Sequence, residues 1–424
     1  MTARFPICEL GDVAELYDSL HQTPQYSDEG YPMIRVTDIR RGLVDTSGAV
    51  RVDEETYMLF SKKHRPQIGD ILFSRVGSYG NSAFVNRNEE FCLGQNTVCI
   101  TPEKSRIHPT FLYCALNSED LRNQIESLVG GASQGTISLK NIRKLQVPIP
   151  PLPIQQRIAS ILSAYDELIE NNQRRIKILE TMARNLYREW FVHFRFPGHE
   201  NHPRVDSQLG EIPLGWEARA LMDLCSRITD GSHFSPPSVD DGYPMASVKD
   251  MHDWGIKLES CRRITSDDYE NLVRNDCKPL KNDILIAKDG SYLKHTFVVG
   301  EEQDLVILSS IAMLRPNSSI RPNYLCFTLR DPVTKARMKG IVSGVAVPRI
   351  VLKDFRNFQI LVPTQEIQVE WARIVDPLAE SCRILVSQTE NLRQTRDLLL
   401  PRLLSGQITL PEAVDDLTQV TSHA

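Results

Sequence analysis

The second half of this 424-residue sequence repeats the first half at an offset of about 211–214 residues. Five matched blocks keep the same order in both halves: Tyr31–Met33 with Tyr243–Met245, Asp70–Tyr79 with Asp283–Tyr292, Ala83–Val85 with Thr296–Val299, Ile107–Leu112 with Ile320–Leu325, and Leu139–Arg143 with Leu352–Arg356. This period is far longer than the ~20–50 residues of a solenoid repeat. The sequence therefore predicts a tandem duplication of one domain-plus-helix unit.

The globular part of each half, about 150 residues long, has the pattern of a mixed α/β domain. Short apolar runs rich in Val, Ile and Phe are bounded by Gly, Pro, Asn and Asp, which is typical of strands and turns. Thr110–Leu116 and Asn323–Leu329 each start just after a proline and are predicted to be helical.

Two long helical patterns follow the globular parts, with apolar residues at steps of three or four, which is the seam of a coiled coil. The first seam is Ile154, Ile158, Ile161, Tyr165, Leu168, Asn172, Ile176, Leu179, Ala183, Leu186 and Trp190. The second is Ile367, Trp371, Ile374, Leu378, Cys382, Leu385, Thr389, Leu392, Arg396, Leu399 and Leu403. We expect the two helices to pair, the alternative being that each packs on its own domain.

Polar and proline residues interrupt these seams. Asn172 either fixes the register of the pair or is a partly solvated position, and both interpretations stay open. Proline removes an amide donor, so Pro377 and Pro401 are expected to kink or end the second helix.

The predicted fold class is α+β (mixed), with two globular α/β domains in tandem repeat and two long helices that pair with each other. The predicted segments are a first domain at 1–150, a first spacer helix at 151–196, a linker at 197–209, a second domain at 210–363, a second spacer helix at 364–408 and a tail at 409–424.

Composition excludes some classes of protein. The nine cysteines show no CxxC spacing, which argues against a disulfide framework or a zinc ribbon and favours a reducing cytoplasm. No run of ~18 apolar residues predicts a membrane span, and the N-terminus lacks a secretory signal pattern. The net charge of −5 does not by itself favour nucleic-acid binding, since DNA-binding domains are often basic.

Three motifs resemble those of the specificity subunits of Type I restriction–modification enzymes. Pro148–Ala159 resembles the proline-rich junction that ends a target-recognition domain, Gly210–Glu217 is similar to the opening of the second domain, and Leu399–Ile408 resembles the C-terminal motif. The second junction, Val362–Gln368, lacks the double proline but keeps the Gln, and the first half lacks a Pro-x-Gly-Trp opening.

The resemblance implies a non-catalytic chain with two target-recognition domains, held apart by two long helices that form an antiparallel coiled coil. It implies that each domain reads one half of an asymmetric bipartite DNA target, and that the helices set the gap and dock methyltransferase subunits. It implies two methyltransferase subunits that use S-adenosylmethionine, and two restriction subunits that use ATP with Mg²⁺. No cofactor or metal is expected on this chain, and no membrane is expected as a partner.

Candidate DNA contacts lie in the loops beside the duplicated glycines, because glycine lets the backbone approach a phosphate and Ser or Tyr can donate to it. These residues are Arg75, Ser78, Tyr79 and Asn81 in the first domain and Lys288, Ser291, Tyr292 and Lys294 in the second. The alternative is a plain turn between two strands. As a hypothesis, Arg75→Ala or Lys288→Ala should weaken DNA binding and reduce its salt dependence.

A second candidate is the loop before the last strand of each domain, which carries Gln134 or Arg349, side chains that can pair with adenine or guanine. Its alternative is a flexible loop. Basic residues that are candidate phosphate ligands, or only a solvated face, are Lys62, Lys63, Arg65, Arg262 and Arg263.

Two other functions are considered. An intrinsic methyltransferase or nuclease is disfavoured, because the sequence has no Asn/Asp-Pro-Pro-Tyr/Phe motif, no Gly-Lys-Ser/Thr phosphate loop and no Pro-Asp…Glu-x-Lys cluster. A protein-assembly scaffold without DNA specificity explains the helices, but it does not explain two large domains with repeated Gly-Ser-Tyr loops.

Overall fold

The computed structural model describes residues 5–130, 135–289, 293–343, 349–408 and 410. Its contacts divide the chain into two units. One comprises the residues up to Glu170 together with those from Glu390 onward, and the other comprises Asn171–Thr389. A part of each long helix therefore belongs to each unit. No helix in the described ranges is both long and apolar enough to cross a bilayer.

The first unit is built around a mixed five-stranded sheet. In spatial order its strands are Ala14–Asp18, Thr97–Pro102, Ile71–Ser74, Ser82–Phe84 and Gly42–Leu43. The central strand Ile71–Ser74 is buried at every residue, which explains its unbroken apolar run up to Ser74. A second sheet has the order Val50–Val52, Tyr31–Ile34 and Cys92–Leu93, and Ile7–Glu9 pairs with Gln146–Pro148. The helices of this domain are Glu54–Phe60, Pro109–Leu116, Glu119–Leu128 and Leu139–Arg143.

The second unit repeats this arrangement. Its four-stranded sheet has the order Cys225–Asp230, Ile311–Pro316, Ile284–Ala287 and Thr296–Val298, and its three-stranded sheet has the order Arg262–Ile264, Tyr243–Ala246 and Val306–Ile307. The other strand pairs are Arg204–Ser207 with Gly210–Pro213, Glu217–Ala220 with Gln359–Val362, Met251–His252 with Gly255–Ile256, and Val342–Ser343 with Arg349–Ile350. The helices are Leu221–Leu224, Ser266–Arg274, Pro322–Arg330, Pro332–Met338 and Leu352–Arg356.

The two units agree in detail as well as in strand order. Two tyrosine rings stack with centroids 4.1 Å apart in each: Tyr31 on Tyr57, and Tyr243 on Tyr269. The predicted helices after Pro109 and Pro322 are confirmed, and in each the proline occupies the first turn, where its missing amide has no helical partner to lose. The predicted mixed fold and duplication are therefore confirmed.

The first long helix spans Leu152–Tyr187 and continues as a π-helical turn over Arg188–Val192, and the second spans Gln365–Leu404. In the first unit, residues of both helices share a core with the domain: Ile158, Ala159, Leu162, Leu400, Leu403 and Leu404. In the second unit the corresponding residues are Ala183, Tyr187, Trp190, Phe191, Trp371 and Val375. Both packing alternatives therefore occur together, since each helix contacts its own domain and the other helix.

Within the second unit the helices run antiparallel. The Cys382 thiol lies 3.9 Å from the Ile176 carbonyl oxygen, and farther along the first helix the ring of Tyr187 contacts that of Trp371, with centroids 6.2 Å apart. As the first helix advances from residue 176 to 187, its partner runs back from 382 to 371. The predicted antiparallel pairing is thus confirmed.

Two predicted seam positions are wrong. Leu168 is 51% exposed while its neighbour Ile169 is buried, and Ile374 is 47% exposed while its neighbour Val375 is fully buried. The buried stripe therefore lies one residue beyond the predicted seam at these two positions. Asn172 is buried, which removes the partly solvated alternative for that side chain.

Neither proline of the second helix ends it where the sequence predicted an interruption. The helix continues through Pro377 and stops three residues after Pro401. Both prolines, and the residues four positions before them, Arg373 and Asp397, are exposed. Water can therefore solvate the carbonyl groups that lose an amide partner.

Each junction glutamine connects the start of its long helix to the domain. The fully buried Gln155 side chain accepts from the His108 amide (2.8 Å) and donates to the carbonyls of Pro150 (2.8 Å) and Arg106 (3.1 Å). In the second unit Gln368, also fully buried, accepts from the Arg321 amide and donates to the carbonyls of Pro363 and Ser319. Pro150 and Pro363 offer equivalent carbonyls to the two glutamines, so this contact does not require the double proline.

The predicted linker is more structured than its composition indicated. Arg204–Ser207, inside the predicted 197–209 segment, is a strand paired with Gly210–Pro213. Trp216 then packs against three aromatic rings that end or follow the first long helix, those of Phe191, Phe194 and Phe196, at centroid distances of 5.3–5.8 Å. The Gly-Trp motif therefore anchors the domain to this helix end.

Candidate nucleic-acid interface

A basic residue follows the central strand in both domains, and its side chain points to an acid inside the fold. The Arg75 guanidinium donates from Nη1 to both oxygens of Asp18 (2.7 and 2.8 Å) and from Nε to the Ile137 carbonyl (3.2 Å). At the equivalent position of the second domain, the Lys288 ammonium forms an ion pair with Asp230. Asp18 and Asp230 are the last residues of equivalent strands.

These two cations are not the surface residues that the sequence indicated. The Arg75 side chain is 14% exposed and that of Lys288 is 9% exposed. Because each charge is already matched by a carboxylate inside its own domain, a role in domain stability is favoured over the predicted phosphate contact. The sequence search missed both acids, although their offset of 212 residues matches that of the other repeated blocks.

The two candidate loops of each domain, predicted separately, lie side by side. In the first domain the Gly77 amide donates to the Gly135 carbonyl (3.1 Å), and Val76 forms a β-bridge with Thr136. In the second domain Asp289 forms the corresponding bridge with Arg349. Each domain therefore presents one composite edge made from two distant segments.

The side chains at this edge differ in exposure. In the first domain Ser78 is exposed, Asn81 is half-buried, and Tyr79 packs so closely on Gly135 that a Cβ there would lie 2.5 Å from its ring. For Tyr79, this packing favours the alternative of a plain turn between two strands over a DNA contact. In the second domain Lys294 and Arg349 are exposed. Gln134, Ser291 and Tyr292 lie outside the described residues.

The other basic candidates divide into two groups. Lys62 and Lys63 are exposed, and the Lys63 ammonium donates to the Asp18 carbonyl (3.3 Å), which places it beside the Arg75 ion pair. The others have partners within their own domains: Arg65 lies over the Tyr57 ring, Arg262 donates to the Pro236 carbonyl, and Arg263 donates to the Gly242 carbonyl.

The fold also brings together His64, Asp70 and Cys99, whose ligand atoms all lie within 4.8 Å of one another. His64 Nε2 lies 2.6 Å from Asp70 Oδ2, and the Gln67 amide donates to the same oxygen (2.8 Å). Burial would raise the pKa of Asp70, but these hydrogen bonds outweigh it and lower the pKa below its ordinary value. Burial also holds the pKa of the Cys99 thiol well above its usual range, so the thiol stays protonated.

In the second domain the equivalent of Asp70 is Asp283, which pairs with Arg315 through two hydrogen bonds of 2.8 Å. The shared feature is an acid that is held at the start of the central strand by a neighbouring donor. This correspondence favours a structural role for His64 and Cys99 over metal binding. The spacing in sequence, six and then 29 residues, matches no common metal motif.

Comparison with known proteins agrees with this architecture. A family model described as the Type I restriction modification DNA specificity domain matches residues 5–181 and 213–393. The Type I restriction enzyme MjaIX specificity subunit of Methanocaldococcus jannaschii is 27% identical over 315 residues, which cover 73% of this chain and 71% of that protein. The putative MjaX specificity subunit of the same organism is 27% identical over 415 residues, with 94% and 92% covered.

A solved structure has the same fold. The Type I restriction–modification S subunit from M. genitalium matches with a TM-score of 0.58 at 17% identity, covering 95% of this chain and 96% of that one. The family match includes both halves of the repeat. The chain therefore belongs to the family of Type I restriction–modification DNA specificity subunits and carries two copies of the DNA specificity domain in tandem.

Proposed function

We propose that this chain is the non-catalytic recognition subunit of a Type I complex and that each domain reads one part of an asymmetric, bipartite duplex target. The observation that carries this proposal is the composite edge, which is joined by an equivalent β-bridge in both domains but carries different side chains. Asn81 in the first domain corresponds to Lys294 in the second, and Thr136 corresponds to Arg349. Different side chains at one position favour different base sequences.

Catalysis would come from the partners. Two methyltransferase subunits would supply S-adenosylmethionine chemistry, and two restriction subunits would use ATP and Mg²⁺, in the cytoplasm where the DNA lies. Incubating the purified chain alone with DNA and S-adenosylmethionine should give no methyl transfer. Transfer without a partner would contradict a non-catalytic role.

Selection from randomised duplex DNA tests recognition directly. The chain assembled with its methyltransferase partner should enrich a motif of two unlike specific parts that are separated by a gap of fixed length. If a folded, assembled complex enriched no motif, the result would instead support the alternative of a protein-assembly scaffold without DNA specificity.

We further propose that the two long helices set the length of the gap. Inserting seven residues after Glu170 and seven after Thr389 adds two turns to each helix and keeps the heptad phase. The selected gap should then lengthen while both specific parts stay the same. An unchanged gap in a complex that still selects both parts would contradict a spacing role for the helices.

A further inference from the structure

An exposed histidine completes the ion pair of each domain. His21 Nε2 lies 3.1 Å from Asp18 Oδ2, and His233 Nε2 lies 3.4 Å from Asp230 Oδ2. Each histidine is three residues beyond its acid, and each acid also binds the cation that follows the central strand. The same three-residue arrangement thus occurs twice, made from His21, Asp18 and Arg75 in the first domain and from His233, Asp230 and Lys288 in the second.

In each domain, side-chain exposure increases from the cation through the acid to the histidine. Its cations are almost buried, its carboxylates are 20% and 15% exposed, and its histidines are 59% and 78% exposed. The exposed histidine adds no buried contact to the domain core. It is oriented only by the acid, which the buried cation holds in place. This orientation places one ring nitrogen, Nε2, next to the carboxylate, with a hydrogen bond in the first domain and a 3.4 Å ion-pair contact in the second. The other, Nδ1, is left as the atom that can bond to a ligand, as a donor when the ring is protonated and as an acceptor when it is neutral.

A second observation points to the same loops. Within the described ranges, only two Phe, Tyr or Trp side chains are more than half exposed, Tyr26 at 54% and Phe234 at 58%. Tyr26 is five residues beyond His21, and Phe234 is the residue after His233. Each domain thus has an exposed aromatic side chain in the same loop as its exposed histidine, where it can contact a bound partner.

The chemistry of these loops suits duplex DNA. A histidine can bond to a phosphate or a base edge, and an aromatic ring can pack on a thymine methyl group or a sugar. In the first domain the exposed Lys63, which donates to the Asp18 carbonyl, adds a positive charge beside the histidine. We infer that the loops at 19–30 and 231–242 contact DNA through the His21–Tyr26 and His233–Phe234 pairs, with Asp18 and Asp230 as positioning residues. This inference rests on the proposed function.

The test uses the chain in complex with its methyltransferase partner and the duplex that the complex selects. The double variants His21→Ala/Tyr26→Ala and His233→Ala/Phe234→Ala should each lower the affinity at least tenfold. Each should lower the melting temperature by no more than a few degrees, because all four side chains are exposed and make only surface contacts with their own domain. The matched control is His193→Ala, which removes an exposed histidine outside both loops. It should leave the affinity within twofold of that of the parent chain.

Cross-linking provides an independent readout. A photoreactive benzophenone amino acid in place of Tyr26 should cross-link to one specific part of the target, and the same group in place of Phe234 should cross-link to the other. Affinities within twofold of the parent for both double variants, or no cross-link from either position, would overturn the inference. If the parent complex itself selects no DNA, the proposed function fails instead, so the two failures are distinguishable.

Discussion

Replacing Gln155 with alanine is expected to destabilise the first unit by about 3–5 kcal/mol, because the substitution leaves several buried backbone groups without partners. The His108 amide loses its acceptor, and the carbonyls of Pro150 and Arg106 lose their donor. The site is fully buried, so water cannot replace these bonds without a rearrangement of the junction. Gln368→Ala should have a comparable effect on the second unit, since its contacts are equivalent.

Urea unfolding followed by circular dichroism measures this effect. The matched control is Gln156→Ala, at the exposed neighbouring position of the same helix, which should change the free energy of unfolding by no more than about 0.5 kcal/mol. If Gln155→Ala and Gln156→Ala were equally mild, the junction glutamine would not be the connection described above.

Arg75→Ala is expected to destabilise the first domain by about 2–4 kcal/mol, because it leaves the largely buried Asp18 carboxylate with only the exposed His21 as a side-chain partner. This loss is smaller than the ~3–5 kcal/mol that is usual for a broken buried ion pair, because a fifth of the Asp18 side chain remains exposed. Arg75→Lys should lose at most about 1 kcal/mol, because a lysine already serves in the equivalent ion pair with Asp230 and only the bond to the Ile137 carbonyl is lost.

Thermal and urea unfolding of Arg75→Ala and Arg75→Lys separate this account from the hypothesis drawn from the sequence. A surface phosphate ligand would give a variant of normal stability with weaker binding and a smaller salt dependence. An ion-pair partner gives a loss of stability that lysine largely rescues. If Arg75→Ala had normal stability, the result would support the sequence-based hypothesis that Arg75 is a surface phosphate ligand.

The duplication, the helices after Pro109 and Pro322, and the pairing of the long helices could all be predicted from the sequence, whereas the antiparallel direction of the pair followed only from the family resemblance. They depend on local patterns: repeated blocks, the position of a proline, and apolar spacing along a helix. The exposure of Leu168 could not be predicted from the spacing, because either Leu168 or Ile169 can face the helix interface and only the three-dimensional packing decides which one is buried.

The candidate site was harder to predict. Arg75 was recognised as a special position, but its role depends on Asp18, which is 57 residues away in sequence and is brought near only by the pairing of strands. Sequence alone treats any basic residue beside a glycine as exposed. A comparison of the two halves for repeated acids and histidines, as well as for repeated glycines, would have identified Asp18, His21, Asp230 and His233.

Mapping methylated adenines across the genome of the source organism, with this gene intact and with it deleted, tests the central claim most directly. The account predicts that deletion removes methylation at one motif, made of two unlike specific parts with a gap of constant length between them. Loss of methylation at a contiguous or perfectly symmetric motif, or no loss at any motif in cells that express the assembled complex, would contradict recognition by two different domains.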